Sequence, residues 1–138
     1  ASEIYMQASK SCDILIGNDD EFGILSNNYE EGLQTAHNLS KEVSIVIYKK
    51  GERGSITFIE NKEITKGIYP VKALKPTGAG DAFMGAFIGS LLNNKGVEES
   101  LDYGSASAAI VVTKVGCAPA MPLFNEIDDF LKINKMNN

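Results

Sequence analysis

The run Lys75-Pro76-Thr77-Gly78-Ala79-Gly80-Asp81-Ala82-Phe83-Met84-Gly85-Ala86-Phe87 passes from a turn of small residues straight into an apolar helix. Gly78, Ala79 and Gly80 leave their backbone N–H groups uncovered by side chains. A helix that starts there offers free amides and the positive end of its dipole to whatever lies in front. That arrangement binds anions, phosphate above all. Asp81 stands in the same first turn. A carboxylate beside an anion pocket opposes the anion, so it suits a base that takes a proton from a hydroxyl attacking the phosphate. The plainer account is an ordinary helix start, with Thr77 or Asp81 as its cap. Gly-x-Gly-Asp alone does not decide between the two. Thr77 serves equally as a hydroxyl donor to an anion or as a cap.

Two further groups have types that could do chemistry. Asn18 follows the apolar run Asp13-Ile14-Leu15-Ile16-Gly17, at a strand's carboxyl end, where ligands collect in open α/β sheets. Glu21 could hold Mg²⁺ through water, because Mg²⁺ keeps much of its hydration shell. Alternatively Asp19, Asp20 and Glu21 are first-turn acids that complement a helix dipole. Lys49 ends a second apolar run and precedes Lys50-Gly51-Glu52-Arg53-Gly54-Ser55. It could pair with a phosphate oxygen or stand as a surface charge. Gly51 and Gly54 suit a turn that needs positive φ, or one where backbone must approach a ligand closely. Ser105, Ala106, Ser107, Ala108 and Ala109 form a helix face almost without side chains. Tight packing explains it, and so does a shallow wall for a flat purine.

These groups need strands and helices to hold them. The pattern predicts a helix over 2–11, a buried strand over 13–17, a short helix over 20–25 and a helix over 29–40 with Leu33, Ala36 and Leu39 on one face. A continuous β-branched strand follows over 43–48. A turn spans 51–54, and a hairpin joins 55–60 to 63–65 across Asn61-Lys62. A strand over 69–74 ends at Pro76. Three helices close the chain, over 81–93, 97–115 and 123–133. Alternating strands and helices imply an α/β fold, a mostly parallel or mixed sheet with helices on both faces and one β-hairpin.

At 138 residues the chain makes one domain's worth of core. It is 43% hydrophobic and 22% charged, as globular proteins are. The net charge of −5, with no basic run beyond Lys49-Lys50, argues against nucleic acid as a partner. No apolar stretch approaches the roughly 20 residues that span a bilayer. Cys12 and Cys117 have no metal-ligand spacing and read as reduced, partly buried thiols of a cytoplasmic protein. His37 has no cluster of ligating residues around it and reads as a surface or packing residue.

The Gly-Ala-Gly-Asp run resembles the second signature of the ribokinase-like (PfkB) carbohydrate kinases. Three further runs match in family order. Asn18-Asp19-Asp20-Glu21 resembles the Asn-x-x-Glu motif that acts around Mg²⁺ and the phosphates. Lys49-Lys50-Gly51-Glu52-Arg53-Gly54-Ser55 resembles the Gly-x-x-Gly nucleotide loop. The helix from Tyr103 to Lys114, with Gly116-Cys117-Ala118-Pro119-Ala120-Met121-Pro122 after it, resembles the wall of the adenine pocket. The resemblance covers essentially the whole chain. It implies the C-terminal, ATP-binding part of a ribokinase-like three-layer fold, with Asp81 as catalytic base and Gly78, Ala79 and Gly80 as anion hole. Asn18, Lys49, Gly51, Gly54, Thr77, Ser105 and Ala108 would face the nucleotide, and Glu21 would face Mg²⁺. The acceptor would be a sugar or sugar acid.

Kinases of this kind run to roughly twice this length, so the resemblance also implies a single partial domain without the sugar-binding half and lid. The missing half or a partner chain would complete the site, and exposed apolar sheet would favour a homo-oligomer. Lys75 and Ala120 stand where ribokinases hold a monovalent cation. A lysine cannot ligate one, so activation by potassium is not expected. Two other functions fit the same residues: a stand-alone nucleotide-binding or regulatory module, and an inactive oligomerising fragment.

Overall fold

The computed structural model describes residues 2–73, 78–114 and 122–137, leaving out the side chains of Ser2 and Tyr29. They form two compact units, residues 1–67 and 68–138.

The first unit opens with α1 (Ser2–Lys10), β1 (Ile14–Asn18) and α2 (Asp19–Ser26). A 3₁₀ turn at Tyr29–Glu31 leads into α3 (Gly32–Leu39). Strand β2 (Ile45–Lys49), a 3₁₀ turn at Gly51–Arg53, β3 (Ser55–Ile59) and β4 (Lys62–Lys66) complete it. The four strands lie in sequence order. β1 and β2 are parallel, with Ile14 opposite Ile45 and Asn18 opposite Lys49. The β2–β3 and β3–β4 pairs are antiparallel. The sheet of this unit is therefore mixed, with one parallel pairing rather than a majority. Phe22, Ala36, Leu39, Val43, Val46, Tyr48 and Phe58 form the core where α2 and α3 meet the sheet. α3 buries Gly32, Ala36 and Leu39, whereas Leu33 is exposed. The expected face was therefore one residue off at its start.

The hairpin turn falls on Glu60 and Asn61, not on Asn61 and Lys62. Both have positive φ, 50° and 62°, as a two-residue type I′ connection requires. Strand twist decided this, and Asn61 takes the second left-handed place rather than the first.

The second unit holds α4 (Ala79–Leu92), α5 (Val97–Val112) and α6 (Phe124–Ile133). α4 and α5 run past each other closely. A Cβ on Gly104 would lie 3.0 Å from the Phe83 ring and carbonyl, and one on Gly78 would lie 3.5 Å from Val111 Cγ1. Tyr69, Ala86, Tyr103, Ala106, Ala109 and Ile127 make the core. Tyr69 meets Phe130 edge-on at 5.4 Å. The strand expected over 69–74 does not form at 69–73, and Leu74 lies outside the described residues. Tyr69 is buried, but the segment has no ladder partner among the described residues. Instead Ile68 exchanges hydrogen bonds with Asn137, its N–H donating to Asn137 Oδ1 at 2.6 Å and its carbonyl accepting from Asn137 N–H at 2.7 Å.

Cys12 is exposed rather than partly buried, because it lies in the turn after α1. Cys117 lies outside the described residues. His37 is exposed on α3, with its ring 5.2 Å from Phe58. Among the described residues no helix is long and apolar enough to cross a membrane.

Candidate active site

In the second unit the helix start at Gly78–Asp81 is open. Gly78 is the N-cap, at φ 90°. Only glycine holds that angle without cost, so the turn that launches α4 depends on it. The first helical hydrogen bond runs from Ala82 N–H to the Gly78 carbonyl at 3.0 Å. The amides of Ala79, Gly80 and Asp81 precede that bond and are the orphan donors of the helix. Gly78 has no side chain to cap them, and among the described residues no side chain does so. Among the described residues nothing lies within 4 Å of where a Cβ on Gly80 would stand. Asp81 is exposed on the same turn. Positive φ belongs to Gly78, and Gly80 is already helical. Thr77, Lys75 and Ala120 lie outside the described residues.

On α5 the small residues divide between two tasks. Ala106, Ser107 and Ala109 are buried in the packing of the unit, while Ser105 and Ala108 are half-exposed. Close helix packing accounts for the first three. Ser105 and Ala108, three residues apart and so on one face, keep an accessible surface.

In the first unit the structure brings Asn18, Glu21 and Lys49 together. Asn18 ends β1 and caps α2. Its Oδ1 accepts from Glu21 N–H at 2.9 Å, and Glu21 Oε2 accepts from Asn18 N–H at 2.8 Å. This reciprocal pair is a capping box, reached from the sequence only as first-turn acidity. Lys49 lies opposite Asn18 across the parallel pair. Burial lowers the pKa of its ammonium, and the nearby Glu21 carboxylate works the other way.

Gly51 and Gly54 both have positive φ, 60° and 87°. They differ in surroundings. A Cβ on Gly54 would stand 1.9 Å from the Lys66 carbonyl, whereas one on Gly51 would meet nothing within 4 Å. Close approach of β4 alone therefore accounts for Gly54, while Gly51 faces open space.

Asp19, Tyr48 and Arg53 were not singled out by the sequence. Tyr48 donates its hydroxyl to Asp19 Oδ1, and Arg53 Nη2 donates to Asp19 Oδ2 at 3.1 Å. Burial, then the Asp19 hydrogen bond, push the Tyr48 pKa up to about 12. The available signal was a tyrosine in an apolar strand, since a buried tyrosine hydroxyl must find a partner.

No group of three or more potential metal ligands gathers among the described residues. Glu21 is exposed, with Oε2 in the capping box. One accessible carboxylate fits Mg²⁺ that keeps its waters and does not fit an all-protein cage.

A helix start whose amides no described side chain takes is the kind of place where helices receive anions. The profile of the pfkB family carbohydrate kinases matches residues 1–123, and the chain belongs to that family. It is 38% identical over 132 residues to 5-dehydro-2-deoxygluconokinase of Halalkalibacterium halodurans, covering 93% of this chain and 40% of that protein. The Bacillus subtilis 5-dehydro-2-deoxygluconokinase is 36% identical over 133 residues, with 93% and 40% covered. This chain thus spans about two-fifths of the curated relatives' length.

Solved structures agree on the ribokinase-like α/β fold. Ribokinase of Arabidopsis thaliana, complexed with ribose and ATP, gives a TM-score of 0.81 at 32% identity, covering 93% of this chain and 43% of that one. Ribokinase of Thermotoga maritima gives 0.84 at 32% identity, covering 92% and 44%. A ribokinase II structure from Escherichia coli with ATP and Mg²⁺ gives 0.82 at 28% identity, covering 94% and 42%.

Proposed function

We propose that this chain is the C-terminal, ATP-binding part of a kinase that phosphorylates a hydroxyl of a sugar acid, 5-dehydro-2-deoxygluconate. The observation that carries the reading is the start of α4, with three amides that nothing among the described residues takes and an exposed carboxylate in one turn. Family membership and the names of the curated relatives support the acceptor class. The ATP and Mg²⁺ bound in solved relatives support the donor.

In this reading Asp81 accepts the proton of the acceptor hydroxyl. That oxygen forms its bond to the γ-phosphorus as the bond from phosphorus to the ADP oxygen breaks. The amides of Ala79, Gly80 and Asp81 meet the phosphoryl oxygens, where negative charge is concentrated in transfer. Asp81 thus supplies an amide as well as a base. Gly51 lets backbone approach the nucleotide phosphates, and Lys49 adds a positive charge at the end of β2. Ser105 and Ala108 offer the accessible strip for the purine. Mg²⁺, when bound, neutralises phosphate charge, and Glu21 would hold it through water.

The test compares the full-length kinase with this 138-residue chain, using ATP, Mg²⁺ and 5-dehydro-2-deoxygluconate in a coupled assay. The full-length protein turns over at ordinary enzyme rates. The chain alone turns over negligibly, because positioning of the acceptor supplies much of the rate and its pocket is contributed by residues outside this chain. Comparable turnover by the 138 residues alone would overturn the division of labour. Absence of turnover in the full-length protein, with sugars as well as sugar acids, would overturn the function.

A further inference from the structure

The three consecutive acids after β1 have three different situations. Asp20 is exposed, and Glu21 closes the capping box. Asp19, the first residue of α2, is engaged on both oxygens, by the Tyr48 hydroxyl and by Arg53 Nη2. Those two donors bracket Lys49 and Gly51 in the sequence. Tyr48 is only 5% exposed, with its ring 5.3 Å from that of Phe22. Its hydroxyl lies beside Gly32, where a Cβ would come within 3.3 Å of it. The phenol is therefore fixed, and it fixes the Asp19 carboxylate in turn. An exposed ion pair such as Arg53–Asp19 holds little when both side chains must be immobilised for it. Here one partner is already held.

The turn that Arg53 ends is small and closed by three backbone bonds. Lys50 N–H donates to the Gly54 carbonyl at 2.7 Å, Arg53 N–H to Lys50 at 3.2 Å and Gly54 N–H to Gly51 at 3.1 Å. A single 3₁₀ turn is a weak element by itself, and Gly51 adds backbone freedom.

We propose that Asp19 is a positioning residue: a strut from the start of α2, through Tyr48 and Arg53, that holds the Lys49–Gly54 turn in the conformation that meets the nucleotide phosphates. The strut rests on the hydrogen bonds. The identity of what the turn meets rests on the proposed function. With both oxygens engaged by donors, Asp19 is not the carboxylate offered to Mg²⁺; Glu21 is.

Two measurements on the full-length kinase test this. The first is amide hydrogen exchange in the ligand-free protein. Asp19→Asn is expected to speed exchange at Lys50, Arg53 and Gly54 by about tenfold, while the Glu60–Asn61 hairpin turn stays at the wild-type rate. The second is kinetics. Asp19→Asn is expected to raise KM for ATP about fivefold, with kcat and the acceptor KM within about twofold. Arg53→Gln, which alters an exposed side chain outside α2, gives the same two signatures should Asp19→Asn fold poorly. The double variant adds little to either single one. Asp20→Asn changes neither measurement. Unchanged exchange in the turn overturns the strut, and an unmoved KM for ATP overturns its positioning role. If the full-length protein turned over no ATP, the proposed function would fall, and the exchange result would still decide whether Asp19 holds the turn.

Discussion

α2 and α4 each begin at a small or polar residue and carry acid in the first turn, and they begin differently. α2 closes its own start: Asn18 and Glu21 satisfy each other's amides. α4 leaves its start open, because the N-cap is a glycine in the left-handed region with no side chain to give. A helix has the same orphan amides in both cases. At α2 the capping box takes up two of them internally and returns stability. At α4 none of the described side chains takes them, and no described atom lies within 4 Å of where a Cβ on Gly80 would stand. The contrast separates a helix start that satisfies its own amides from one whose amides no described side chain takes, although the two look alike as strings of small and acidic residues.

The largest effect that sharpens this contrast is at Asp81. Asp81→Asn in the full-length kinase keeps the shape and removes the proposed base, so kcat is expected to fall by about 10²–10⁴-fold. Direct titration with ATP is expected to show affinity unchanged or slightly higher, since a negative charge leaves the phosphates' vicinity. Near wild-type turnover would reduce Asp81 to a first-turn acid and erase the difference between the two helix starts.

Gly80→Ala comes next, and here stability and activity part. The new methyl meets no described atom, and alanine is the better helix former by about 1 kcal/mol. Thermal unfolding should therefore move upward or stay put. Turnover should fall on the order of 10²-fold, because the methyl stands over the amides and costs up to a whole contact, about 3 kcal/mol. Loss of stability together with activity would mean that Gly80 serves packing instead.

Asn18→Ala probes the closed start. It removes the cap of α2 and should cost about 1 kcal/mol of stability, read by denaturant unfolding. Gly78→Ala, by contrast, loses its left-handed angle and should cost a comparable 1–2 kcal/mol or so without any cap being removed. If Asn18→Ala left stability untouched, the capping box would not be what holds α2.

The smallest effect is spectroscopic. Tyr48 should give a tyrosinate absorbance step near pH 12. Its raised pKa means that the stability it contributes is complete below about pH 10 and is lost as pH rises through about 12. Asp19→Asn should bring that step down only part of the way, because burial is the larger cause.

Most of the elements were legible because hydrophobic period and glycine placement fix them locally. β1, β2 and α4–α6 fall within a residue or a few of their expected bounds. The segment after Gly67 was not, since a strand exists only where a neighbour offers a ladder, and no local pattern in Tyr69-Pro70-Val71 states whether one does. The open start of α4 was legible as well, because glycine's lack of a side chain is a local fact. The Asp19–Tyr48–Arg53 network was not, because its members stand 29 and 34 residues apart along the chain.

By itself the sequence determined the α/β class, the helix start without side-chain cover at Gly78–Gly80 and the order of motifs that resembles a sugar kinase. Each follows from residue types within a short window, where backbone freedom, missing side chains and charge act directly. Tertiary structure alone decided which glycine serves what. Gly54 yields to β4 and Gly104 to Phe83, while Gly51 and Gly80 face clear space. It also decided which of three adjacent acids caps a helix and which braces a turn. Those assignments depend on what the fold brings within a few ångströms, and steric exclusion and hydrogen bonding act only at that range.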